Sequence, residues 1–150
     1  MPKFMKLEGM DKTVQSMKKL IRDAKAQGVD VIVGYTQNYA IYVHENLEAR
    51  HAPGKQAKYL EGPAKQLAPQ LGQLAVQAYK ATGDLPKALM VAGLRLLRAS
   101  QEVVPIDTGA LRASGFVALE KDLESASQAA KAKGDAIRQA EEHRKRKKKK

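Results

Sequence analysis

The chain has no cysteine and no tryptophan, and only five tyrosines, two phenylalanines and three histidines in 150 residues. Without cysteine there is neither a disulfide framework nor a thiolate metal centre. Seven aromatics leave a core that has to be filled by Leu, Val, Ile, Ala and Met. No apolar run approaches the ~20 residues needed to cross a bilayer. Met1-Pro2-Lys3-Phe4-Met5-Lys6 lacks the apolar stretch of a signal peptide. The chain is therefore expected to be soluble, made in the cytoplasm and free of membrane contact. Its length fits one domain that buries about two thirds of its unfolded surface.

What it has in quantity is positive charge, a formal +11. The distribution matters more than the sum. Arg144, Lys145, Arg146, Lys147, Lys148, Lys149 and Lys150 supply seven of those charges, so the rest of the chain carries +4. The basic character belongs to the C-terminal end, and residues 144–148 are the candidates for phosphate contact by counterion release. A run of this kind reads no base sequence.

Taken in order, Met10, Val14, Met17, Ile21 and Ala24 recur every three or four positions along residues 11–27 and the residue before them. That spacing predicts an amphipathic helix, with Asp11 as N-cap and Gly28 as C-cap. Val29 to Tyr35 is β-branched and reads as a strand. Tyr39 to Glu45 fits either a strand or a helical turn. Tyr35, Tyr39 and Tyr42 read as a core or interface patch, because base-stacking platforms interleave aromatics with basic residues and none occurs from 26 to 49. Leu47 to Lys58 is a long polar loop. Leu67, Leu71, Leu74, Ala75 and Ala78 mark a helix that starts near Pro63 and restarts or kinks at Pro69. Thr82-Gly83-Asp84 ends it and caps the next helix, which carries Leu85, Leu89, Ala92, Gly93, Leu96 and Leu97. These two helices form an antiparallel pair, with Ala78, Ala92 and Gly93 permitting close approach.

Pro105 stops the second helix, since it biases Val104 away from helical backbone. Asp107 can bond backbone amides two residues on, and Gly109 can take positive φ. Pro105, Asp107, Thr108, Gly109 and Arg112 thus form a structural turn leading into a strand over Leu111–Leu119, expected to pair with the earlier one. Beyond Glu120 small and polar residues dominate. Gly134-Asp135 breaks the helical spacing, and the end is expected to be frayed or ordered only against a partner. The fold class is α+β: a small antiparallel or mixed sheet on an antiparallel helix pair, an N-terminal helical arm (1–29), a core (30–119) and a helical or disordered basic extension (120–150).

The chemistry-bearing patterns are weak. Asp107-Thr108-Gly109 matches the aspartic-protease triplet, but such an enzyme needs an all-β frame and two facing triplets. His44-Glu45 is half of a zinc helix motif, whose second histidine would fall at Glu48. Pro53-Gly54-Lys55-Gln56 lacks the spacing and the hydroxyl of a phosphate loop. The chain reads as a non-enzyme without cofactor or metal.

Three segments resemble a known family. Val103-Pro105-Asp107-Thr108-Gly109-Leu111-Arg112-Ser114 is the most specific. Tyr39-Ala40-Tyr42-Val43 with Glu45 is the second, His44 standing where the family has an acidic residue. Tyr59-Leu60-Glu61-Gly62-Pro63-Ala64 is the third. All three are similar to strings in the neck, or tail-completion, proteins of tailed phages. Here the Asp-Thr-Gly segment follows the Tyr-Ala segment instead of preceding it, a permuted order. The resemblance implies an α+β subunit of the virion neck, assembled in the host cytoplasm as a homo-oligomeric ring at the portal–tail junction. DNA would pass through it, and portal, adaptor and tail proteins would be its neighbours. The N-terminal helix, the 47–58 loop and the C-terminal segment are the expected contact elements, with Met17, Ile21, Tyr39, Tyr42, Glu45, Arg50 and His51 as candidate interface residues. The competing reading is a small basic nucleic-acid-binding protein that uses its Lys/Arg tail.

Overall fold

A computed structural model describes residues 2–106 and 109–149, with backbone alone for 2–11 and 13. Asp107 and Thr108, expected in the turn, lie outside the described residues, as does Lys150 in the tail. The frame is α+β. Helix α1 spans Pro2–Gln27, strand β1 Val31–Tyr35, and helix α2 Ala40–Glu45. Helices α3 (Glu61–Thr82) and α4 (Leu85–Val103) follow, then a short α5 (Ala110–Ala113), strand β2 (Gly115–Leu119) and α6 (Leu123–Lys148).

The α3–α4 pair forms as its caps dictate. Gly83 adopts the left-handed conformation (φ 68°), and its N–H bonds the Tyr79 carbonyl at 2.8 Å. Asp84 then accepts from the Lys87 N–H at 3.1 Å, opening α4 with a conventional N-cap. Helix α3 runs on through Pro69 as one assigned span.

The two strands pair antiparallel with Val31 opposite Leu119, Val33 opposite Val117 and Tyr35 opposite Gly115. One face of this ribbon lies on α4. A Cβ at Gly93 would sit 2.6 Å from Val117 Cγ2 and 3.0 Å from Val31 Cγ1. The glycine expected to serve the helix pair therefore serves the helix–sheet contact. Gly72 of α3 plays the other part, its missing side chain leaving room for the Met17 thioether of α1. The opposite sheet face, with Ile32, Phe116 and Ala118, takes α6. Two apolar clusters result. Leu20, Ala75, Val76 and Leu85 join α1, α3 and α4, while Ala40, Tyr59, Val104 and Leu111 join α2, the 46–60 loop and the α4–α5 corner.

Three expectations need correction. The N-terminal helix does not start at Asp11; it begins at Pro2, whose fixed φ suits a first turn, and its backbone continues through Gly9 and Asp11. Of the two readings open for Tyr39 to Glu45, the structure takes the helical one, over Ala40–Glu45. Leu111–Ala113 is a helical turn instead of strand. Gly109 (φ 89°) starts that turn, and the Ser114 hydroxyl closes it by donating to the Leu111 carbonyl at 2.8 Å. Only from Gly115 does the chain extend. Finally, residues 123–148 form one continuous helix through Gly134. That position is glycine because α6 crosses α5 there at backbone distance.

Candidate functional site

The structure gathers residues that the sequence keeps far apart. Tyr59 is 2% exposed, and its hydroxyl donates to the Ala40 carbonyl at 2.7 Å. Its ring meets Tyr35 edge-on (centroids 5.1 Å, 89°) and His44 likewise (4.9 Å, 78°). Burial pushes both the Tyr59 and the Tyr35 hydroxyl pKa up; Tyr35 also shares a 2.7 Å hydrogen bond with Ser100 Oγ, which pulls the other way. These phenols stay neutral and act as packing groups with one satisfied polar end. The 46–60 loop is tied to the end of α4, where the Gln56 N–H donates to the Val103 carbonyl at 2.9 Å and Lys55 Nζ to the Glu102 carbonyl at 2.7 Å.

Between α2, this loop and the α4–α5 corner lies an open cleft of about 300 Å³, lined by Tyr39, Val43, Arg50, His51, Pro105 and Gly109 among others. So Tyr39, Arg50 and His51, expected at an interface, share one wall system with Pro105 and Gly109, expected only to turn the chain. His51 Nε2 is buried there without a hydrogen-bond partner among the described residues. The other expected residues lie elsewhere. Met17 packs on the chain's own α3. Ile21 is half exposed on α1. Tyr42 is exposed on α2, its hydroxyl accepting from Asn46 Nδ2 at 3.2 Å. Arg112 is exposed, and its carbonyl accepts from Gln101 Nε2 at 3.0 Å. Residues 144–148 occupy the distal end of α6.

His44, Glu45 and Glu61 bring three metal-type ligand atoms within 4.8 Å of one another. Each of the three already has a partner within the chain. The Lys58 ammonium bridges Glu45 and Glu61, and Lys65 pairs with Glu61 at 2.9 Å. The Glu61 N–H donates to His44 Nε2 at 3.2 Å, so that nitrogen carries no proton and Nδ1–H faces Glu45 at 2.9 Å. His44 thereby caps the start of α3, and a cation is built into the cluster as Lys58. The arrangement is an internal clasp between α2 and α3.

Lys65 and Lys58 hold the Glu61 carboxyl down at about 2, and Lys58 with His44 lowers that of Glu45. Both folded pKa values lie below the unfolded ones. Their contribution is present above the ordinary carboxylate range and is lost as pH falls through it toward 2. Thermal melts should therefore hold a level midpoint above about pH 5 and decline below it. Lys58→Met should flatten that decline. The groups are exposed, so the effect is small and fades in high salt.

Gln37 is a residue that pattern reading passes over. It is 5% exposed, and its Nε2 donates to Asp135 Oδ1 at 3.4 Å, linking the end of β1 to α6.

Comparison with known proteins gives no match: neither a family model, nor a curated protein, nor a solved structure matches this chain.

Proposed function

We propose that this chain is a structural subunit of a tailed-phage neck, a tail-completion protein that works by packing into a ring with copies of itself. The observation that carries the reading is contact. The three segments that resemble the family, about residues 39–45, 59–64 and 103–114, are far apart in sequence and meet in one buried cluster around Tyr59. A permuted order of segments preserves function only if the segments touch, and here they do.

The surface supports assembly. Ile41, Tyr42 and Leu47 are 75%, 68% and 73% exposed, a concentration of large apolar side chains on one six-residue helix and the loop after it. This patch follows the Tyr35 end of β1. Along the Val31 end, α1, β1 and α4 frame an apolar groove of about 390 Å³ that includes Ile21, Ala24, Val31, Val33 and Leu89. A patch and a groove at opposite ends of one ribbon make a head-to-tail contact, the heterologous kind that closes rings. A second copy is the occupant that suits both.

Light scattering on the purified chain should report a multiple of the 16.4 kDa protomer mass that grows with concentration. Ile41→Asp with Leu47→Asp should return it to single chains with unchanged helical signal, since both side chains point to solvent. Labelling of the chain in purified particles should place it at the head–tail junction. A protein that stays single at every concentration and is missing from particles ends the proposal.

A further inference from the structure

The distal end of α6 carries an inference that does not depend on the ring. Helix α6 is 26 residues long, about 39 Å at 1.5 Å per residue. Its contacts with the core run through Ala130 and Gly134, both buried, and reach Asp135. From Arg144 to Lys149 every residue is exposed and basic. Arg144 pairs with Glu141 at 2.7 Å, whereas no carboxylate among the described residues pairs with Lys145, Arg146, Lys147, Lys148 or Lys149. Successive helical residues point about 100° apart, so these charges face every side of the rod instead of one stripe.

We propose that this end of α6 is a binding element for duplex nucleic acid, seated in the major groove and touching the phosphates of both strands. Three physical matches favour that partner. The helix presents one positive charge per ~1.5 Å of axis, against one phosphate per ~1.7 Å of duplex axis. Its diameter of about 10–12 Å fits a groove about 12 Å wide, so charges on opposite sides of the rod meet opposite groove walls. Left alone, the like charges at positions 144 and 148, or 145 and 149, repel across one helical turn. Phosphates on both sides relieve that repulsion, so binding and helix formation reinforce each other.

Other anionic partners fit less well. Residues 138–148 include Ala140 as their one apolar residue, too little for an amphipathic membrane face. Helix α6 has no Phe, Tyr or Trp to stack the bases of a single strand. Lysine is depleted at protein–protein interfaces. The contact reads charge and shape and is indifferent to base sequence.

The test is fluorescence anisotropy of the full chain with a 30-bp duplex of arbitrary sequence, titrated across salt concentrations. Six neutralised phosphates give a slope of log K against log salt of about −5. Two unrelated duplexes should bind alike. The fourfold variant Lys145→Ala, Arg146→Ala, Lys147→Ala, Lys148→Ala should shrink the slope by about 3 to 4, since each lost charge removes ~0.9. Its melting temperature should match the parent's, because these side chains are exposed and pair with no carboxylate among the described residues. Gln139→Pro keeps every charge but interrupts the rod, and should weaken binding several-fold. The parent's own slope needs no variant: a slope near zero overturns the proposal. Tighter binding to polyglutamate, to anionic phosphatidylglycerol vesicles or to an oligo-dT single strand overturns it too, as does a fourfold variant that binds like the parent. A Gln139→Pro chain that binds like the parent shows a flexible tail and removes the groove-seated helix.

Discussion

Tyr59→Ala is expected to lower folding stability by about 3–5 kcal/mol, the range for removing a large buried ring. The ring is nearly inaccessible and touches two other rings edge-on, contacts that add about 0.5–1.5 kcal/mol each to simple burial. Removing it also takes away the hydrogen bond that the Tyr59 hydroxyl donates to the Ala40 carbonyl. Tyr59→Phe isolates that last effect, because it keeps the ring and loses only the hydrogen bond; about 1 kcal/mol is expected. Denaturant melts of the three proteins separate the two contributions, and near-equal losses for alanine and phenylalanine would show that the ring contacts carry little. The change has a functional consequence as well. Helix α2 is six residues long, too short to stand without tertiary support. It hangs on Tyr59 from inside and displays Ile41 and Tyr42 outside. Under the proposed ring, loss of the buried ring of Tyr59 should therefore reduce the mass seen by light scattering, although that side chain is buried within its own subunit.

The elements that could be read in the sequence are those whose signals are local. The α3–α4 turn is written in Thr82, Gly83 and Asp84, and each acts as its chemistry suggests. Strand β1 announces itself by β-branching. A partner strand is readable after the Pro105 turn, over Leu111–Leu119, but the antiparallel sense and the true start at Gly115 come from the fold. Helix α5 reads as strand in the sequence because four residues fall below any periodicity window, and Leu111 is apolar in either conformation. Helix α6 is hard to read for a different reason. Its inner stripe is Ala126, Ala130 and Gly134, small residues that bury little area but allow backbones to approach. Counting large apolar side chains misses a helix held this way.

The site was legible only in pieces. Tyr39, Arg50 and His51 suggested contact, while Pro105 and Gly109 suggested a turn. That they line one cleft follows from long-range packing around Tyr59. The His44–Glu45–Lys58–Glu61 clasp shows the same limit. The Glu61–Lys65 pair is visible as an i,i+4 spacing. The rest depends on how the loop returns to α3. Lys58 takes a positive φ (54°), unusual for a side chain with a Cβ, at the point where its ammonium reaches two carboxylates.

Gly134→Val should separate α6 from the core, at a cost of about 3 kcal/mol, near the top of the range for forcing volume into a packed contact. On an isolated helix the expectation runs the other way, because glycine is among the worst helix formers and a substitution with a Cβ gains up to about 1 kcal/mol. Here the Cβ would stand 2.5 Å from Gln37 Nε2, 2.9 Å from the Ala110 carbonyl oxygen and 3.0 Å from Ser114 Cβ. The amide end of Gln37 can swing away. The Ala110 oxygen cannot, since it belongs to the backbone of α5, whose Gly109 start and Ser114 end are both fixed by hydrogen bonds. Gly134→Ala already meets that oxygen and should cost about 1–3 kcal/mol; valine adds two methyls to the same collision. Denaturant melts test the sign directly, and a stabilised Gly134→Ala protein would mean that α6 is not seated on α5 as described. The same variants give the basic end a role to play. If α6 lifts away while its helix persists, residues 144–149 keep their charge and their helical display, so duplex binding should survive a change that weakens the fold. Loss of both together would mean that the core holds the rod in its working form.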